Sequence, residues 1–438
     1  MTVSWWGIID LTVEAALTAA TGGCGVWDSG MWDEALWGPD ETWTDITEWV
    51  RGFDTDRRFS RDLRSWSAGT ADVVLDNRDG RFSPDNLDVA APYVVGGVSG
   101  VRPGRPVRIR MAYAGVTYDV WRGYVMAWRE SWVPGGTRAG DAISIMQCED
   151  EWSRLSWARG WATSAAGAGE TCGPRWSRIL SAAGYTETPD LDIGTVTLQE
   201  TDLSTDPIRE LGITADSEGG WIYVESDGVI IGRDQYAIIE DSRCTTVQAT
   251  FGDAGSPEIP WTSLDYAPMD LDDTINIATY KCVGGTEQRY TDATSRALYG
   301  DRDDRSPNIT SLVCETDAQA LALATRAVAT RRNPEARVKS LTIAPIGDPT
   351  NRIPIALGLR IRDLVEVIRR PPSAQSHTMT RSCFISGISQ RLDKENNSWT
   401  TTFDTTSATT YRAFASSLWD TGTWGSSDGD PTAALWFY

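Results

Sequence analysis

Residues 43–84 read WTDITEWVRGFDTDRRFSRDLRSWSAGTADVVLDNRDGRFSP, and residues 102–128 read RPGRPVRIRMAYAGVTYDVWRGYVMAW. Apolar and polar residues alternate over Ala71–Leu75, which is the period of a strand with one buried face. Asn77–Gly80 follows, and its Asn, Asp and Gly residues are those that tolerate a tight bend. The pattern predicts a strand that ends in a turn.

Two further strands are predicted over Val107–Ala112 and Tyr118–Val125, on either side of a short turn at Ala114-Gly115. Short alternating strands that are joined by tight turns are typical of antiparallel β structure. We therefore expect residues 43–155 to form a small antiparallel β-barrel.

The same stretch contains four motifs in a fixed order: DIT-x-x-VRGF, AGTA-x-V-x-LDNRDGRFSP, PGRPVRIR and Y-x-V-x-RGYV. In this order they resemble the first domain of the minor tail proteins of long-tailed phages that infect actinobacteria. Thr250–Pro260, Gly285–Gly300, Asp317–Arg332 and Gly358–Pro372 resemble later blocks of that family, so the resemblance covers roughly residues 43–405. No single block is a catalytic signature, and the specificity lies in their order.

Within that family the chain resembles the tail-tip hub proteins, which are similar to the trimeric baseplate hub of contractile phages. The resemblance implies a structural virion protein without enzymatic activity. It also implies two similar barrels in each subunit, so that three subunits form a ring with six-fold-like symmetry on the tail tube. A homotrimer is favoured, with a hexamer as the alternative. The implied partners are the distal tail protein, the tape measure protein and other minor tail proteins. The implied location is the virion tail tip, after assembly in the cytoplasm of the host bacterium.

Changes of composition divide the chain, for example at the Gly-, Ala- and Ser-rich segment Ala162–Glu170. The predicted fold is mainly β with an α+β insert, in which two small antiparallel β-barrel domains bracket helix and hairpin regions. The predicted units are a Trp/Asp/Gly-rich N-terminal arm (1–42), a first barrel (43–155), an α+β insert (156–245), strands plus a long helix (246–334), a second barrel (335–405) and a Trp-rich C-terminal arm (406–438).

Capping signals place the longest helix. Thr316 precedes Asp317–Arg332, Gln319 stands where a capping box needs it, and Pro334 follows as a stop. Other local signals predict short helices at Val13–Ala20 and Pro174–Ala183, a helix that starts at Asp206-Pro207, and a hairpin of Trp221–Glu225 with Val229–Arg233.

The composition is that of an ordinary folded protein. Of 438 residues, 23% are charged and 41% are hydrophobic, and no apolar run is long enough for a membrane segment, so we expect a soluble protein. The net charge of -21 argues against stable binding of nucleic acid, because such binding needs clustered Lys or Arg. Solubility alone would explain this charge. Alternatively, an acidic channel lining would keep passing DNA from sticking.

Cysteines and histidine argue against most catalytic and metal sites. The seven cysteines are scattered with no CxxC pair, which predicts reduced, partly buried thiols rather than a disulfide frame or a zinc site. His377 is the only histidine. We therefore predict no catalytic residue, no metal and no cofactor.

A tryptophan motif occurs near both ends of the chain. Two tryptophans five residues apart flank an Asp-Ser/Thr-Gly turn, and further tryptophans stand nearby. The motif is either a self-contained hairpin or a docking element that buries its aromatic area against a neighbouring subunit or tail protein. The predicted interaction residues are Trp27, Asp28, Trp32 and Trp37 in the first arm and Trp419, Asp420, Trp424 and Trp436 in the second.

Three functions remain open at this point. The first is a structural hub at the tail tip, with a distal tail protein ring as a close variant. The second is a carbohydrate-binding protein for host attachment, because the chain has 21 tryptophans that could stack on sugar rings. The third, a cell-wall hydrolase, is disfavoured because no hydrolase motif is present.

Overall fold

The computed structural model describes most of the chain. The described residues are 3–5, 8–17, 42–60, 65–132, 141–158, 164–203, 206–267, 271, 274–302, 307–370 and 378–408. Among them no helix is both long and apolar enough to cross a membrane.

The N-terminal part is built from strands. The predicted strand at Ala71–Leu75 is confirmed, and so is the turn at Ala114-Gly115, where both residues have positive φ angles of 50° and 82°. The strands are β1 (Val3–Trp5), β2 (Ile9–Ala15), β3 (Thr44–Asp45), β4 (Val50–Ser60), β5 (Ser65–Asp76), β6 (Val94–Val95), β7 (Val98–Ser99), β8 (Pro106–Tyr113), β9 (Val116–Trp132) and β10 (Ala142–Glu149).

The middle part alternates short helices with short strands, as predicted for an α+β insert. Its elements are α1 (Glu151–Leu155), α2 (Cys172–Ala182), β11 (Asp190–Leu191), α3 (Pro207–Glu218), β12 (Trp221–Val224), β13 (Ile230–Arg233), α4 (Ala237–Glu240) and α5 (Ser242–Thr245).

The C-terminal part returns to strands, with three helices between them. Its elements are β14 (Ala249–Phe251), β15 (Ser263–Ala267), β16 (Ile277–Cys282), β17 (Gln288–Thr291), α6 (Ala293–Tyr299), β18 (Asn308–Leu312), α7 (Asp317–Ala329), β19 (Arg337–Ile343), α8 (Pro349–Gly358), β20 (Leu364–Arg369), β21 (Met379–Asp393) and β22 (Ser398–Ser407).

One 14-stranded sheet contains the strands of both predicted barrels, except β6 and β7, which pair only with each other. Its main path is β1-β2-β8-β9-β10-β5-β4-β21-β22-β19-β15, with β3, β14 and β20 attached beside it. Strand β4 of the first group pairs directly with β21 of the second in antiparallel register. The prediction of two β-barrels is not confirmed, because neither strand group closes on itself among the described residues. A mainly β chain with helices between strand groups is confirmed.

Glycine makes the close approach at this junction. Gly387 of β21 lies opposite Arg58 of β4, and a Cβ atom added at Gly387 would come within 2.7 Å of the Arg58 Cβ. A larger residue would force the strands apart. Alternation of apolar and polar residues predicts that each of these segments is a strand. It does not predict that β4 and β21 pair, because the two strands are far apart in sequence.

The N-terminal segment is partly a strand of this sheet. Ile9, Leu11, Val13 and Ala15 are buried, and β2 pairs with β8. The predicted helix at Val13–Ala20 is wrong over its first three residues, because they continue the period-two burial of β2. Residues 3–5 and 9–15 of the predicted arm are therefore strands of this sheet.

The turn after β5 is held by one buried side chain. Asn77 accepts a hydrogen bond from the Phe82 amide (2.8 Å) and donates one to the Ser83 hydroxyl (3.1 Å). Gly80 has a φ of +72°, which a residue with a side chain adopts at a cost. The DNRDGRF segment is therefore a turn motif, as predicted.

Helix caps in the insert follow the sequence signals. Asp206 accepts from the Ile208 amide (2.9 Å) at the start of α3, and Gly219 ends that helix with a φ of 70°. The indole of Trp176 in α2 donates to the Leu211 carbonyl of α3 (3.3 Å). The two predicted helices thus pack against each other.

Two helices of the C-terminal part differ in how well they were predicted. The capping box of Thr316 and Gln319 at α7 is confirmed, with both reciprocal hydrogen bonds present. Helix α8 was missed because Pro354 lies inside it, and an internal proline usually marks the end of a helix.

A small three-stranded sheet carries a disulfide bond. Strands β17, β16 and β18 form this sheet, and α7 packs against it. Cys282 and Cys314 are bonded, with their Cα atoms 5.8 Å apart. The prediction of reduced thiols is therefore wrong for this pair. The parallel pairing of β16 with β18 brings the two residues together across 32 residues of sequence, which spacing alone could not reveal.

Asp150 is a buried carboxylate that joins β10, β5 and α1. It accepts hydrogen bonds from the amides of Trp152 (3.0 Å) and Gly69 (2.7 Å). Burial raises the pKa of Asp150 to about 7, despite the hydrogen-bond donors around it.

We expect Asp150→Asn to weaken the pH dependence of stability. The folded pKa of about 7 lies above the unfolded value of about 3.9, so the folded chain binds this proton more tightly. The contribution of Asp150 is therefore greatest below about pH 4 and is lost as the pH rises toward about 7, with a slope of at most about 1.4 kcal/mol per pH unit. Urea unfolding at several pH values in this window tests this, and an unchanged slope in the variant would contradict it.

Candidate functional surface

The junction of the two strand groups presents a continuous polar face. Along β4 and β5 the burial of side chains alternates, so that Phe53 and Val73 point into the core while Asp54 and Asp72 are exposed. Strands β21 and β22 continue the same alternation. We call this surface the shared polar face; it consists of Asp54, Asp56, Arg58, Thr70, Asp72, Ser389, Arg391, Thr400, Thr402 and Asp404.

Strand register brings carboxylates together on this face. Asp54 of β4 lies directly opposite Asp72 of β5, and on its other side Asp54 lies opposite Arg391 of β21. Like charges directly opposite each other weaken strand pairing. The opposed Asp54 and Asp72 carboxylates therefore do not stabilise the pairing of β4 with β5. This favours a functional role for the negative charge of the face.

Arg58 forms the other charged contacts of the face. Its guanidinium donates to the Asp56 carboxylate (2.7 Å) and to the Ser389 hydroxyl (3.3 Å), and it lies 3.3 Å from the Asp404 carboxylate. Arg58 contacts two carboxylates. The face as a whole has more aspartates than arginines, so it is acidic.

Burial and neighbouring carboxylates raise the pKa values of two acids on this face. Burial raises the pKa of Asp54; Arg391 opposes this change, and the neighbouring Asp56 and Asp72 add to it. Burial also raises the pKa of Asp404, against the effect of Arg58 and with that of Asp56. Both shifts arise mainly from burial, and repulsion by neighbouring carboxylates adds to them.

The opposite side of the same strands anchors the insert. Arg57 of β4 donates to Glu225, at the end of β12, over 2.8 Å, and both side chains are about nine-tenths buried. On β9, Arg122 pairs with Glu187 (2.7 Å) and donates to the Asp227 carbonyl (3.4 Å). These contacts fix the hairpin of β12 and β13 against the sheet.

A cleft of about 310 Å³ lies between this hairpin, α5 and the segment 360–363 that precedes β20. Acids in its lining are bound to arginines: Asp363 pairs with Arg243, and Asp190 pairs with Arg233. Carboxylates in such pairs are held as structural counter-ions. Among the described residues, no cluster of three or more His, Cys, Asp or Glu has the arrangement of a metal site.

The predicted interaction residues lie outside the described residues. They are Trp27, Asp28, Trp32 and Trp37 in the first motif and Trp419, Asp420, Trp424 and Trp436 in the second; His377 also lies outside the described residues. Sequence reasoning missed the position of the shared polar face, although the acidic composition pointed to its charge. The signal was present in the alternating Asp and Thr residues of β4, β5 and β22.

Comparison with known proteins gives the class of the fold. No protein-family model matches the chain, and no curated protein matches it in sequence. The tail protein from Neisseria meningitidis MC58 has a TM-score of 0.53 at 13% identity, and the alignment covers 91% of this chain and 96% of that one. The 43 kDa tail protein of prophage MuSo2 from Shewanella oneidensis has a TM-score of 0.54 at 13% identity, with 92% and 97% covered.

Both alignments extend over nearly the whole of each chain. The chain therefore has a phage tail protein fold. At this level of identity the likeness concerns the fold alone.

Proposed function

We propose that this chain is a structural tail-tip hub of a siphovirus-like phage, a minor tail protein without enzymatic activity. The observation that carries the proposal is the junction of β4 and β21, which places two strand groups side by side in one sheet. Three subunits with two such groups each would surround the tail tube with six-fold-like symmetry. The resemblance of residues 43–405 to minor tail proteins of actinobacteriophages supports this assignment.

In this proposal the shared polar face lines the passage for DNA. Its side chains are short acids and hydroxyl residues with two arginines, so it offers water-filled, acidic surface to the phosphate backbone. DNA that passes such a lining is repelled rather than bound, because binding requires phosphates to be neutralised by basic side chains. The ring is homotrimeric, with a hexamer as the alternative.

The partners in this proposal are the distal tail protein, the tape measure protein and other minor tail proteins at the virion tail tip. Assembly takes place in the cytoplasm of the host bacterium. The two tryptophan motifs, at residues 27–37 and 419–436, dock on these neighbours. The number of copies in purified virions tests the ring, since quantitative mass spectrometry should find three per tail. Six copies would favour a distal tail protein ring.

The double variant Trp419→Ala, Trp424→Ala should fold but fail to enter tails. Each buried tryptophan contributes about 1.5–3 kcal/mol, so loss of both weakens docking by on the order of a hundredfold or more. Virion yield and the mass spectrometric signal of the chain in virions measure this. Trp132→Ala is the matched control, because Trp132 is 65% exposed and lies outside both motifs. Normal incorporation of the double variant would contradict docking.

Binding of cell-surface carbohydrate is the second candidate function. Trp132 and Trp157 are exposed and could stack on sugar rings, but most other described tryptophans are buried or half-buried in packing. Sedimentation of the isolated chain with purified host cell wall separates the candidates. A hub should stay in solution, whereas saturable co-sedimentation would favour adsorption.

A further inference from the structure

The small unit of β16, β17, β18 and α7 has a weak core of its own. It forms a hydrophobic cluster separate from the main one, and four of its buried residues are alanines. Alanine buries little apolar area, so these positions contribute less to packing than the larger residues of the cluster, such as Tyr280 and Leu312. Small folded units of this kind usually need a covalent bond or a metal to remain closed. The alanines are Ala278, Ala320, Ala324 and Ala327.

The disulfide bond lies inside this weak core. Cys282 is 1% exposed at the end of β16, and Cys314 is fully buried just after β18. Among the described residues the other cysteines are buried and carry no disulfide, namely Cys148, Cys172, Cys244 and Cys383. The pair is therefore shielded from thiol exchange as long as the unit stays closed.

Three hydrogen bonds connect this unit to neighbouring segments of the chain, and opening of the unit would break them. The Val313 amide donates to the Ser217 hydroxyl of α3 (2.9 Å). Arg326 of α7 donates to the Gly219 carbonyl (3.0 Å), which follows α3. Gln199 donates to the Cys314 carbonyl itself (2.7 Å). Without the bond, hydrogen bonds such as these and the packing of the cluster, which includes the half-buried Ile213 of α3, would hold the unit in place.

We propose that Cys282 and Cys314 are a redox-controlled staple of this unit. Oxidised, the pair holds the end of β16 against the segment that follows β18; reduced, this small sheet and α7 open locally while the 14-stranded sheet stays folded. The bond forms by exchange with a small-molecule disulfide such as oxidised glutathione. One cysteine thiolate attacks it and releases one glutathione thiolate, and the second cysteine thiolate then attacks the mixed disulfide and releases the other. The two protons of the cysteine thiols pass to the two released thiolates.

Hydrogen exchange of the full-length protein tests the proposal. After treatment with oxidised glutathione, peptides from 277–282 and 317–329 should exchange slowly; after a phosphine reductant they should exchange at least tenfold faster. Peptides from β4, β5 and β21 should not change. Cys282→Ser, Cys314→Ser should exchange fast under both conditions, and Cys383→Ser, at a buried cysteine without a disulfide, should respond like the wild type.

Two results would overturn the proposal. One is peptide mass spectrometry that finds both Cys282 and Cys314 as free thiols after treatment of the protein with oxidised glutathione. The other is equal exchange of the unit in the oxidised and reduced wild-type protein, a comparison that does not depend on whether the double variant folds.

Discussion

Arg57→Ala should lower the free energy of unfolding by about 3–5 kcal/mol, because it leaves the Glu225 carboxylate buried without its partner. Arg57 and Glu225 are 2.8 Å apart, with side-chain exposures of 7% and 10%. Glu225 also accepts from the Ser226 amide (2.9 Å), which fixes its position. Chemical denaturation of the purified chain measures the loss.

The control for this prediction replaces both partners. Arg57→Met with Glu225→Met removes both charges and keeps similar side-chain volume, so it should recover most of the lost stability. If the single variant is as stable as the wild type, the ion pair does not anchor the insert to the sheet. If the double variant is no better than the single one, packing rather than charge carries the contact.

The second large effect concerns DNA delivery and rests on the proposed function. Asp54→Arg with Asp72→Arg changes the shared polar face by four charges, next to the existing Arg391. Basic side chains on a channel lining bind phosphates and release counter-ions, so DNA should be retained. We expect particles with normal tails whose delivery of DNA falls at least tenfold.

Asp85→Arg with Asp88→Arg is the matched control. Both residues are exposed in the loop between β5 and β6 and lie outside the shared polar face, so the change of net charge is identical. This control should deliver DNA normally. Equal defects in both variants would show that net charge matters and the position of the face does not. Normal delivery by the Asp54→Arg, Asp72→Arg particles would remove the channel role of this face.

Local sequence signals predicted several elements of this fold. Alternation placed β5, the turn residues Ala114-Gly115 placed the β8–β9 hairpin, and Thr316 with Gln319 placed α7. Each of these depends on neighbours in sequence, so the residues themselves carry the information.

Pairing between distant elements was not predictable in the same way. The strands of the two predicted barrels lie in one sheet because β4 pairs with β21. In this pairing Arg58 lies opposite Gly387, which is more than 300 residues later in the sequence. The Cys282–Cys314 bond likewise depends on a parallel strand pair. The periodic pattern of apolar and polar residues within a strand does not indicate which distant strand pairs with it.

The position of the shared polar face in the fold could not be predicted from the sequence. The acidic net charge left solubility and an acidic channel lining open as alternatives, and only the register of β4, β5 and β21 brings Asp54, Asp72 and Arg391 together. The tryptophan motifs remain a prediction from sequence.

A cryo-electron microscopic reconstruction of the tail tip of virions that contain this chain tests the central claim most directly. The account predicts three copies in a closed ring at the end of the tail tube, with Asp54 and Asp72 facing the channel. A reconstruction in which the shared polar face is buried against another protein or faces the outside of the particle would contradict it.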